Sequence, residues 1–196
     1  RMTVGIVGYG SIGRELARLA KSLGMRVLAT KRDVRRSSET NVDYKPGEIG
    51  DPKGEIPDRI YPSEALPTVA AECDFLVLAV PYTNDTHHMV NARVLEAMKS
   101  TGILINIARG SVVDEEALIT ALRKKQIGGA ALDVFETEPL PQNSPLWDMD
   151  NVIISPHVAG NSLHYHQKAA DLFAENLNRY LENKPLLNKL NREAGY

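Results

Sequence analysis

Four polar side chains of this 196-residue chain stand where apolar runs end, and their types suit chemistry on a small polar substrate. They are Arg109, Asp133, Glu138 and His157. The apolar runs are predicted to be buried strands, and ligands in open α/β sheets bind outside the carboxyl ends of the strands. We therefore expect these four side chains to converge on one crevice.

The chemistry follows from the functional groups. The guanidinium of Arg109 can hold a carboxylate or a carbonyl oxygen through two parallel hydrogen bonds. His157 can exchange a proton near neutral pH, and a carboxylate beside it favours the imidazolium and fixes the ring. Taken singly, each residue also has an ordinary explanation: a surface salt bridge for Arg109, a cap for Asp133, solvation for Glu136 and Glu138, and a structural loop histidine. Their shared position at strand ends favours a site.

A glycine motif, Gly8-x-Gly10-x-x-Gly13, leaves a predicted strand and opens a predicted helix. In that context Gly8 permits the tight turn, Gly10 lets the backbone approach a pyrophosphate, and Gly13 lets the helix lie close to the strand. The N–H groups near Ser11 and Ile12 face the phosphates with the positive end of the helix dipole. A glycine-rich turn without a ligand is the alternative, but the strand-to-helix context favours dinucleotide binding.

The second predicted strand ends in Lys31 and Arg32, where a dinucleotide fold specific for NAD usually carries an acid. A cation cannot accept hydrogen bonds from the ribose 2′-hydroxyl, but it can pair with a 2′-phosphate. Asp33 lies two positions beyond Lys31 and could still serve NAD. The basic pair favours NADP over NAD, and a solvated basic loop is the remaining interpretation.

These residues need a scaffold, and the apolar runs supply one because they alternate with helical patterns. That alternation predicts an α/β fold, a Rossmann-like doubly wound parallel sheet in three αβα layers. The predicted strands cover residues 3–7, 25–30, 74–80, 102–107, 130–134 and 151–155. The predicted helices cover residues 11–23, 62–72, 91–98, 114–125 and 162–181. Asp114 is the expected N-cap of its helix, and residues 33–60 are predicted to form a long surface loop.

Composition narrows the class of protein. The net charge of −2 gives no reason to expect a nucleic acid or a membrane surface as partner. The single cysteine, Cys73, rules out an internal disulfide framework and leaves no cysteine cluster for a metal, so we expect a reducing, cytoplasmic setting. No apolar run reaches the roughly 18 residues of a membrane-spanning helix.

The motifs, in their order along the chain, resemble those of the D-isomer-specific 2-hydroxyacid dehydrogenases. Besides the glycine motif, the resemblance is carried by the segments Leu78-Ala79-Val80-Pro81-Tyr82-Thr83, Ile105-Asn106-Ile107-Ala108-Arg109-Gly110, Ala130-Ala131-Leu132-Asp133-Val134-Phe135-Glu136-x-Glu138-Pro139-Leu140 and Ser155-Pro156-His157-Val158-Ala159-Gly160. The resemblance implies an NAD- or NADP-dependent enzyme that moves a hydride between the cofactor and a 2-keto or D-2-hydroxy acid.

The resemblance also implies roles. Arg109 would hold the carboxylate and keto oxygen of the substrate, His157 would be the general acid/base, Glu138 would hydrogen-bond His157, and Asp133 would meet the nicotinamide. The other residues implied at the cofactor are Gly8, Tyr9, Gly10, Ser11, Ile12, Gly13, Lys31, Arg32, Val80, Pro81, Thr86, Ala108 and Gly160.

The resemblance further implies a domain arrangement. We expect residues 1–183 to form the dinucleotide-binding domain and 184–196 a C-terminal tail, without the substrate domain that family members carry. Such a fragment would bind cofactor but turn over keto acids poorly, and a homodimer is expected. An NAD(H)-sensing corepressor-type binding protein with the same fold is the alternative, because such proteins keep the same Arg, Glu and His.

Overall fold

The computed structural model describes residues 1–35, 50–190 and 192, and these residues form a seven-stranded parallel sheet with helices on both faces. The strands are β1 (Thr3–Val7), β2 (Arg26–Lys31), β3 (Arg59–Pro62), β4 (Phe75–Leu78), β5 (Ile103–Asn106), β6 (Gly129–Leu132) and β7 (Val152–Ile154). The helices are α1 (Ser11–Ser22), α2 (Leu66–Glu72), α3 (Ala92–Ala97), α4 (Glu115–Arg123) and α5 (Tyr165–Leu181). The predicted Rossmann-like fold class is confirmed.

The strand order β3-β2-β1-β4-β5-β6-β7 shows how the chain winds. From β1 it moves outward through β2 to β3, then returns to the other side of β1 and continues from β4 to β7. The reversal lies between β1 and β4, and a crevice opens at such a point beyond the carboxyl ends of the strands. The glycine motif follows β1, so it lies at this crevice.

Side chains alternate across β1 and separate two apolar layers. Val4 and Ile6 face a cluster that includes Ala17 and Ala20 of α1. Val7 faces the larger cluster that α2, α3 and α4 build on the other side. The expected N-cap of α4 is present, because the Asp114 carboxylate accepts a hydrogen bond from the Ala117 N–H at 3.0 Å. The sheet is thus held rigidly from both faces where the site begins.

One predicted boundary is wrong. Residues 59–62 form strand β3, although the sequence assigned 33–60 to a loop and 62–72 to a helix. The strand pairs with the end of β2, so that Lys31 is opposite Pro62. The strand is short, lies at the sheet edge and carries arginine and proline, as edge strands often do. It therefore lacks the apolar run by which the other strands were predicted. The remainder of that predicted loop, residues 36–49, lies outside the described residues.

The C-terminal part differs from the rest of the domain. None of the residues of α5 is buried, whereas every other α-helix buries part of one face. Beyond α5, the backbone of Leu187 exchanges two hydrogen bonds with the Asn176 side chain, at 2.8 and 3.1 Å. Residues 191 and 193–196 of the predicted tail are outside the described part. In the described ranges no helix is long and apolar enough to cross a membrane.

Candidate active site

The glycine turn between β1 and α1 has the shape that a phosphate cradle requires. Gly8 has a φ of 99°, which other residues rarely adopt, and a Cβ there would lie 2.7 Å from the Ala79 carbonyl oxygen. A Cβ on Gly13 would lie 2.2 Å from the Gly8 carbonyl oxygen, so α1 begins in direct contact with the turn. At Gly10, by contrast, a Cβ would meet nothing within 4 Å. The backbone of Gly10 therefore faces open space, which fits a pyrophosphate.

The residues between these glycines separate into two sides. Ser11 and Ile12 are exposed at the start of α1, and Ile12 lines the adjoining cleft. Tyr9 is only 3% exposed, and its hydroxyl donates to the Asp51 carboxylate at 2.6 Å. Its ring lies on the far side of the turn, so Tyr9 faces the cleft through its backbone alone.

A cleft of about 440 Å³ runs from the start of α1 across the ends of β4 and β5. This volume lies within the roughly 300–1,000 Å³ of small-molecule and cofactor sites. The cleft contains the predicted residues Ile12, Val80, Pro81, Ala108 and Arg109, together with Tyr82, which the sequence interpretation did not assign. Its walls are mostly apolar, which suits an aromatic ring, and Arg109 is the charged residue among those that line it.

A buried amide fixes the turn that carries Arg109. Asn106, 1% exposed at the end of β5, accepts a hydrogen bond from the Ala108 N–H and donates to the Arg109 carbonyl, both at 3.0 Å. Gly110 then lies directly against the loop after β6, because a Cβ there would be 1.9 Å from the Phe135 backbone. The sequence interpretation gave Asn106 no role, although a polar residue ending an apolar strand was the available signal.

His157 and Glu138 form the pair that the resemblance implied. His157 Nδ1 lies 2.8 Å from Glu138 Oε2, and Glu138 Oε1 accepts the Phe135 N–H at 3.1 Å. His157 has a φ of 55°, an unusual conformation for a residue with a side chain, so the surrounding loop holds it there. The side chains of His157 and Glu138 remain 48% and 36% exposed, which leaves the imidazole accessible from solvent.

Electrostatics link this pair to Arg109. Burial alone raises the pKa of Glu138, but the hydrogen bonds from His157 and the Phe135 N–H, with the charges of His157 and Arg109, bring that pKa below its ordinary value. Glu138 is therefore an anion at neutral pH. The charge of Arg109 thus acts on the carboxylate that contacts His157.

Asp133 anchors the loop that carries His157. Its carboxylate is 5% exposed and accepts hydrogen bonds from the Ser155 hydroxyl at 2.6 Å and from the Val158 and Ala159 N–H groups at 2.9 Å. Burial raises the pKa of Asp133, but these bonds outweigh burial and lower it. The strand ends at Leu132, so Asp133 lies in the turn beyond β6 rather than inside the predicted strand 130–134. The sequence interpretation missed the role of Ser155.

The remaining predicted residues occupy more peripheral positions. Thr86 holds the turn after β4, since its hydroxyl donates to the Pro81 carbonyl and accepts the Thr83 N–H, both at 2.8 Å. Lys31 is the half-buried last residue of β2, and Arg32 is exposed beside it. Gly160 is exposed in the loop after His157.

Glu136, the third carboxylate of the cluster, does not join the His157 pair. It lies 2.5 Å from His88 Nε2, on a different loop. In the described part of the chain no three His, Cys, Asp or Glu side chains are arranged to hold a metal ion.

Comparison with known proteins adds independent information. Residues 1–159 match the family model described as D-isomer specific 2-hydroxyacid dehydrogenase, NAD binding domain. The chain is 42% identical over 177 residues to a glyoxylate reductase of Thermococcus gammatolerans, covering 89% of this chain and 47% of that protein. It is 40% identical over 196 residues to a glyoxylate reductase of Pyrococcus horikoshii, covering 98% of this chain and 52% of that protein. The chain thus spans about half the length of these curated relatives.

Two solved structures are similar to this chain over its whole length. A D-isomer specific 2-hydroxyacid dehydrogenase of Xanthobacter autotrophicus, in complex with NADPH and MES, superposes with a TM-score of 0.83 at 36% identity, covering 100% of this chain and 73% of that one. An NADPH-dependent glyoxylate/hydroxypyruvate reductase of Sinorhizobium meliloti, in complex with NADP and sulfate, superposes with a TM-score of 0.82 at 29% identity, covering 100% and 57% of the respective chains.

Proposed function

This chain belongs to the D-isomer specific 2-hydroxyacid dehydrogenase family as its NAD-binding domain, and on that premise we propose the work of its individual residues. It provides the cofactor site and the acid/base group of an oxidoreductase that transfers a hydride between NAD(P)H and a 2-keto acid. The observation that carries the proposal is the 2.8 Å contact between His157 Nδ1 and Glu138 Oε2, together with the charge of Arg109, which helps to lower the pKa of Glu138.

The glycine turn and the apolar cleft would hold the cofactor. The open backbone at Gly10 and the first N–H groups of α1 suit the pyrophosphate, and the walls at Val80, Pro81 and Ala108 suit an aromatic ring. When bound, the cofactor supplies the hydride that reduces the keto carbon. Tyr9 contributes through its backbone, because its ring is buried away from the cleft.

The protein side chains handle the substrate and the proton. Arg109 holds the carboxylate and keto oxygen of the substrate and stabilises the negative charge that develops on that oxygen. His157 donates the proton that this oxygen takes up, and it accepts the proton in the reverse direction. Glu138, held at 2.8 Å from Nδ1, orients the ring so that Nε2 faces the substrate. Asp133 fixes the loop on which His157 stands.

The substrate class is that of glyoxylate, a small 2-keto acid, because the curated relatives named above are glyoxylate reductases. Titration with NADPH and NADH, followed by a glyoxylate-reduction assay, tests the proposal. We expect the 196-residue chain to bind a dinucleotide and to reduce glyoxylate poorly, since it spans about half the length of those relatives. Binding of neither dinucleotide would disprove the cofactor role, and normal turnover would show that this half suffices.

We also propose that the cofactor is NADP(H) rather than NAD(H). Lys31 and Arg32 at the end of β2 present positive charge where the adenosine ribose is expected, which suits a 2′-phosphate. Replacing Lys31 with Asp should lower the preference for NADPH over NADH by about tenfold, with Lys168→Asp on exposed α5 as a control of equal charge change. An unchanged ratio of dissociation constants would refute this assignment.

We also propose that the protein is cytoplasmic and that it forms a homodimer. Burial raises the pKa of the single cysteine, Cys73, to about 12, so its thiol stays protonated and inert. A chain with one such thiol does not depend on an oxidising compartment. Light scattering that reports twice the 21.6 kDa mass of the chain would support the dimer, and a monomer at all concentrations would contradict it.

A further inference from the structure

A buried polar cluster lies behind the glycine turn, on the side away from the cleft. The Tyr9 hydroxyl donates to Asp51 Oδ2 at 2.6 Å, and Arg14 stacks its guanidinium over the Tyr9 ring, 4.7 Å from the centroid. Arg14 also donates to the backbone carbonyl of Asp51. The three residues are 3%, 6% and 1% exposed, for Tyr9, Asp51 and Arg14 respectively. The proposed mechanism uses none of these side chains.

Asp51 is the centre of the cluster. Its Oδ1 accepts the Gly54 and Glu55 N–H groups at 3.0 and 3.1 Å, and its Oδ2 accepts the Ile56 N–H at 2.9 Å. Burial raises the pKa of Asp51, but the Tyr9 hydroxyl and these N–H groups together lower it, so Asp51 is an anion at neutral pH. Its carboxylate thus organises residues 51–56, and the Tyr9 hydroxyl ties that ordered segment to the glycine turn.

The segment does not need Tyr9 to stay attached to the domain. The Gly50 N–H donates to Glu15 Oε2 at 2.7 Å, and Lys21 pairs with Asp58 at 2.8 Å. Asp58 also exchanges two 2.8 Å hydrogen bonds with the backbone of Val27 in β2. With both ends of the segment fixed to α1 and β2, the Tyr9–Asp51 bond has its main consequence on the turn itself.

Tyr9 is the single residue between Gly8 and Gly10. The two glycines leave the backbone on both sides of Tyr9 free to rotate, because glycine lacks a Cβ. Fixing the ring between Arg14 and Asp51 fixes the peptide planes that flank Tyr9. Those planes belong to the backbone that faces the open space at Gly10.

We propose that Tyr9 is a positioning residue for the cofactor pyrophosphate, acting through its hydrogen bond to Asp51, which holds the glycine turn in its binding conformation before the cofactor arrives. This rests on the proposed placement of the pyrophosphate at the glycine turn. Preorganisation of this kind increases affinity because the backbone loses less freedom on binding.

The test compares two variants that each delete one tyrosine hydroxyl bonded to a carboxylate. Tyr9→Phe removes the bond to Asp51 and keeps the ring under Arg14. Tyr61→Phe is the matched control, since its hydroxyl donates to Glu72 at 3.1 Å. Glu72 lies before the amino end of β4, whereas the glycine turn follows the carboxyl end of β1. Dissociation constants for NADPH come from fluorescence titration, and thermal midpoints from circular dichroism.

We expect Tyr9→Phe to bind NADPH about tenfold more weakly than the wild type, and Tyr61→Phe to bind within about twofold. Tyr9→Phe should also lower the thermal midpoint more than Tyr61→Phe does, because its hydrogen bond is shorter and more deeply buried. Amide hydrogen exchange at residues 10–13 should accelerate in Tyr9→Phe alone. If the wild type binds and Tyr9→Phe binds equally well, the inference is wrong. If the wild type binds neither NADPH nor NADH, the proposed cofactor role itself fails.

A second variant protects the test against an unrelated effect of the missing oxygen. Asp51→Asn weakens the same bond from the other side. In a double-mutant cycle, the affinity losses of Tyr9→Phe and Asp51→Asn should not add, because both act through one interaction. Losses that add fully would overturn the proposed route from Tyr9 through Asp51.

Discussion

The two ends of the candidate site use similar pairs of groups in opposite surroundings. At the phosphate end, Tyr9 and Asp51 are 3% and 6% exposed, and the Tyr9 hydroxyl donates to the Asp51 carboxylate. At the acid/base end, the side chains of His157 and Glu138 are 48% and 36% exposed. Burial and the hydrogen bond to Asp51 raise the pKa of Tyr9 above its ordinary value, so the buried pair holds one protonation state. The exposed pair can exchange a proton with substrate or solvent, which the proposed reaction requires.

The interactions at the two ends should contribute different amounts to the free energy of folding. A buried hydrogen bond to a charged group contributes about 1.5–3 kcal/mol, whereas an exposed ion pair contributes about 0–1 kcal/mol. Changes at the phosphate end should therefore affect stability and cofactor affinity, and changes at His157 should affect turnover with little effect on folding.

Replacing His157 with Gln should have the largest effect. The variant loses the group that exchanges the proton, and general acid/base catalysis is worth roughly 10²–10⁴-fold in rate. We expect glyoxylate turnover to fall by about that factor, in an enzyme that contains this domain with a substrate domain, while the dissociation constant for NADPH changes less than about twofold. Steady-state kinetics and fluorescence titration measure the two. If NADPH affinity fell by the same factor as glyoxylate turnover, His157 could not be assigned to turnover alone.

Gly10→Ala should separate affinity from stability at the phosphate end. Its Cβ meets nothing within 4 Å, so the fold should keep its thermal midpoint, while the methyl group blocks the approach of the pyrophosphate. Loss of one or two charge-assisted hydrogen bonds predicts about 10–100-fold weaker NADPH binding. Gly13→Ala is the matched comparison, because its Cβ would lie 2.2 Å from the Gly8 carbonyl oxygen and must destabilise the fold. Equal effects of both variants on the thermal midpoint would show that Gly10 is structural.

These residues also show how far the sequence could predict the molecule. Long apolar runs identified six of the seven strands, and the edge strand β3 escaped because arginine and proline mask its pattern. The positions of Arg109 and His157 followed from the rule that sites form beyond strand ends. The inward direction of the Tyr9 ring did not, because its partner lies 42 residues away along the chain. Local pattern cannot reveal such a bond.

The same limit applies to the loop supports. Ser155 reaches Asp133 across 22 residues, and Gly110 contacts Phe135 through a gap that admits no Cβ. Each contact joins two loops after different strands, so it depends on the lateral order of β5, β6 and β7 in the sheet. The chemistry of the site could therefore be predicted from residue types, whereas the groups that hold it in place required coordinates.

Asp133→Asn should weaken the anchor of the His157 loop. An amide nitrogen would face a backbone N–H that now donates to a carboxylate oxygen, so we expect a loss of about 2 kcal/mol in the free energy of unfolding at pH 7. Urea denaturation measures this loss. Asp114→Asn is the control, because Asp114 caps α4 with a single hydrogen bond and lies outside the site.

The loss of stability in Asp133→Asn should depend on pH in a definite direction. The pKa of Asp133 is lower in the folded chain than in the unfolded chain, where it is about 3.9. Its contribution is fully present above the unfolded value and is lost as pH falls through the folded value. The difference in stability between wild type and Asp133→Asn should therefore be largest above about pH 5 and shrink toward zero in stronger acid. A difference that grows on acidification would contradict the assignment.

Ser155→Ala should have the smallest effect of these substitutions. It tests whether a change at the acid/base end alters turnover without altering NADPH binding. The Ser155 hydroxyl donates to Asp133 Oδ1 at 2.6 Å, and Asp133 would keep its hydrogen bonds from the Val158 and Ala159 N–H groups. One lost bond of three predicts about 1 kcal/mol less stability. The loosened loop should lower turnover by about threefold, since His157 stands between the two anchored ends.

The matched control is Ser22→Ala, whose exposed hydroxyl donates to the Leu19 carbonyl at 2.7 Å on α1, outside the site. It should change stability by less than about 0.5 kcal/mol and leave turnover unchanged. Binding of NADPH should be equal in wild type, Ser155→Ala and Ser22→Ala, because the serines do not touch the glycine turn. If Ser155→Ala instead weakened NADPH binding as much as Tyr9→Phe does, the two ends of the site would be one coupled unit, and the buried pair could not be assigned to cofactor affinity alone.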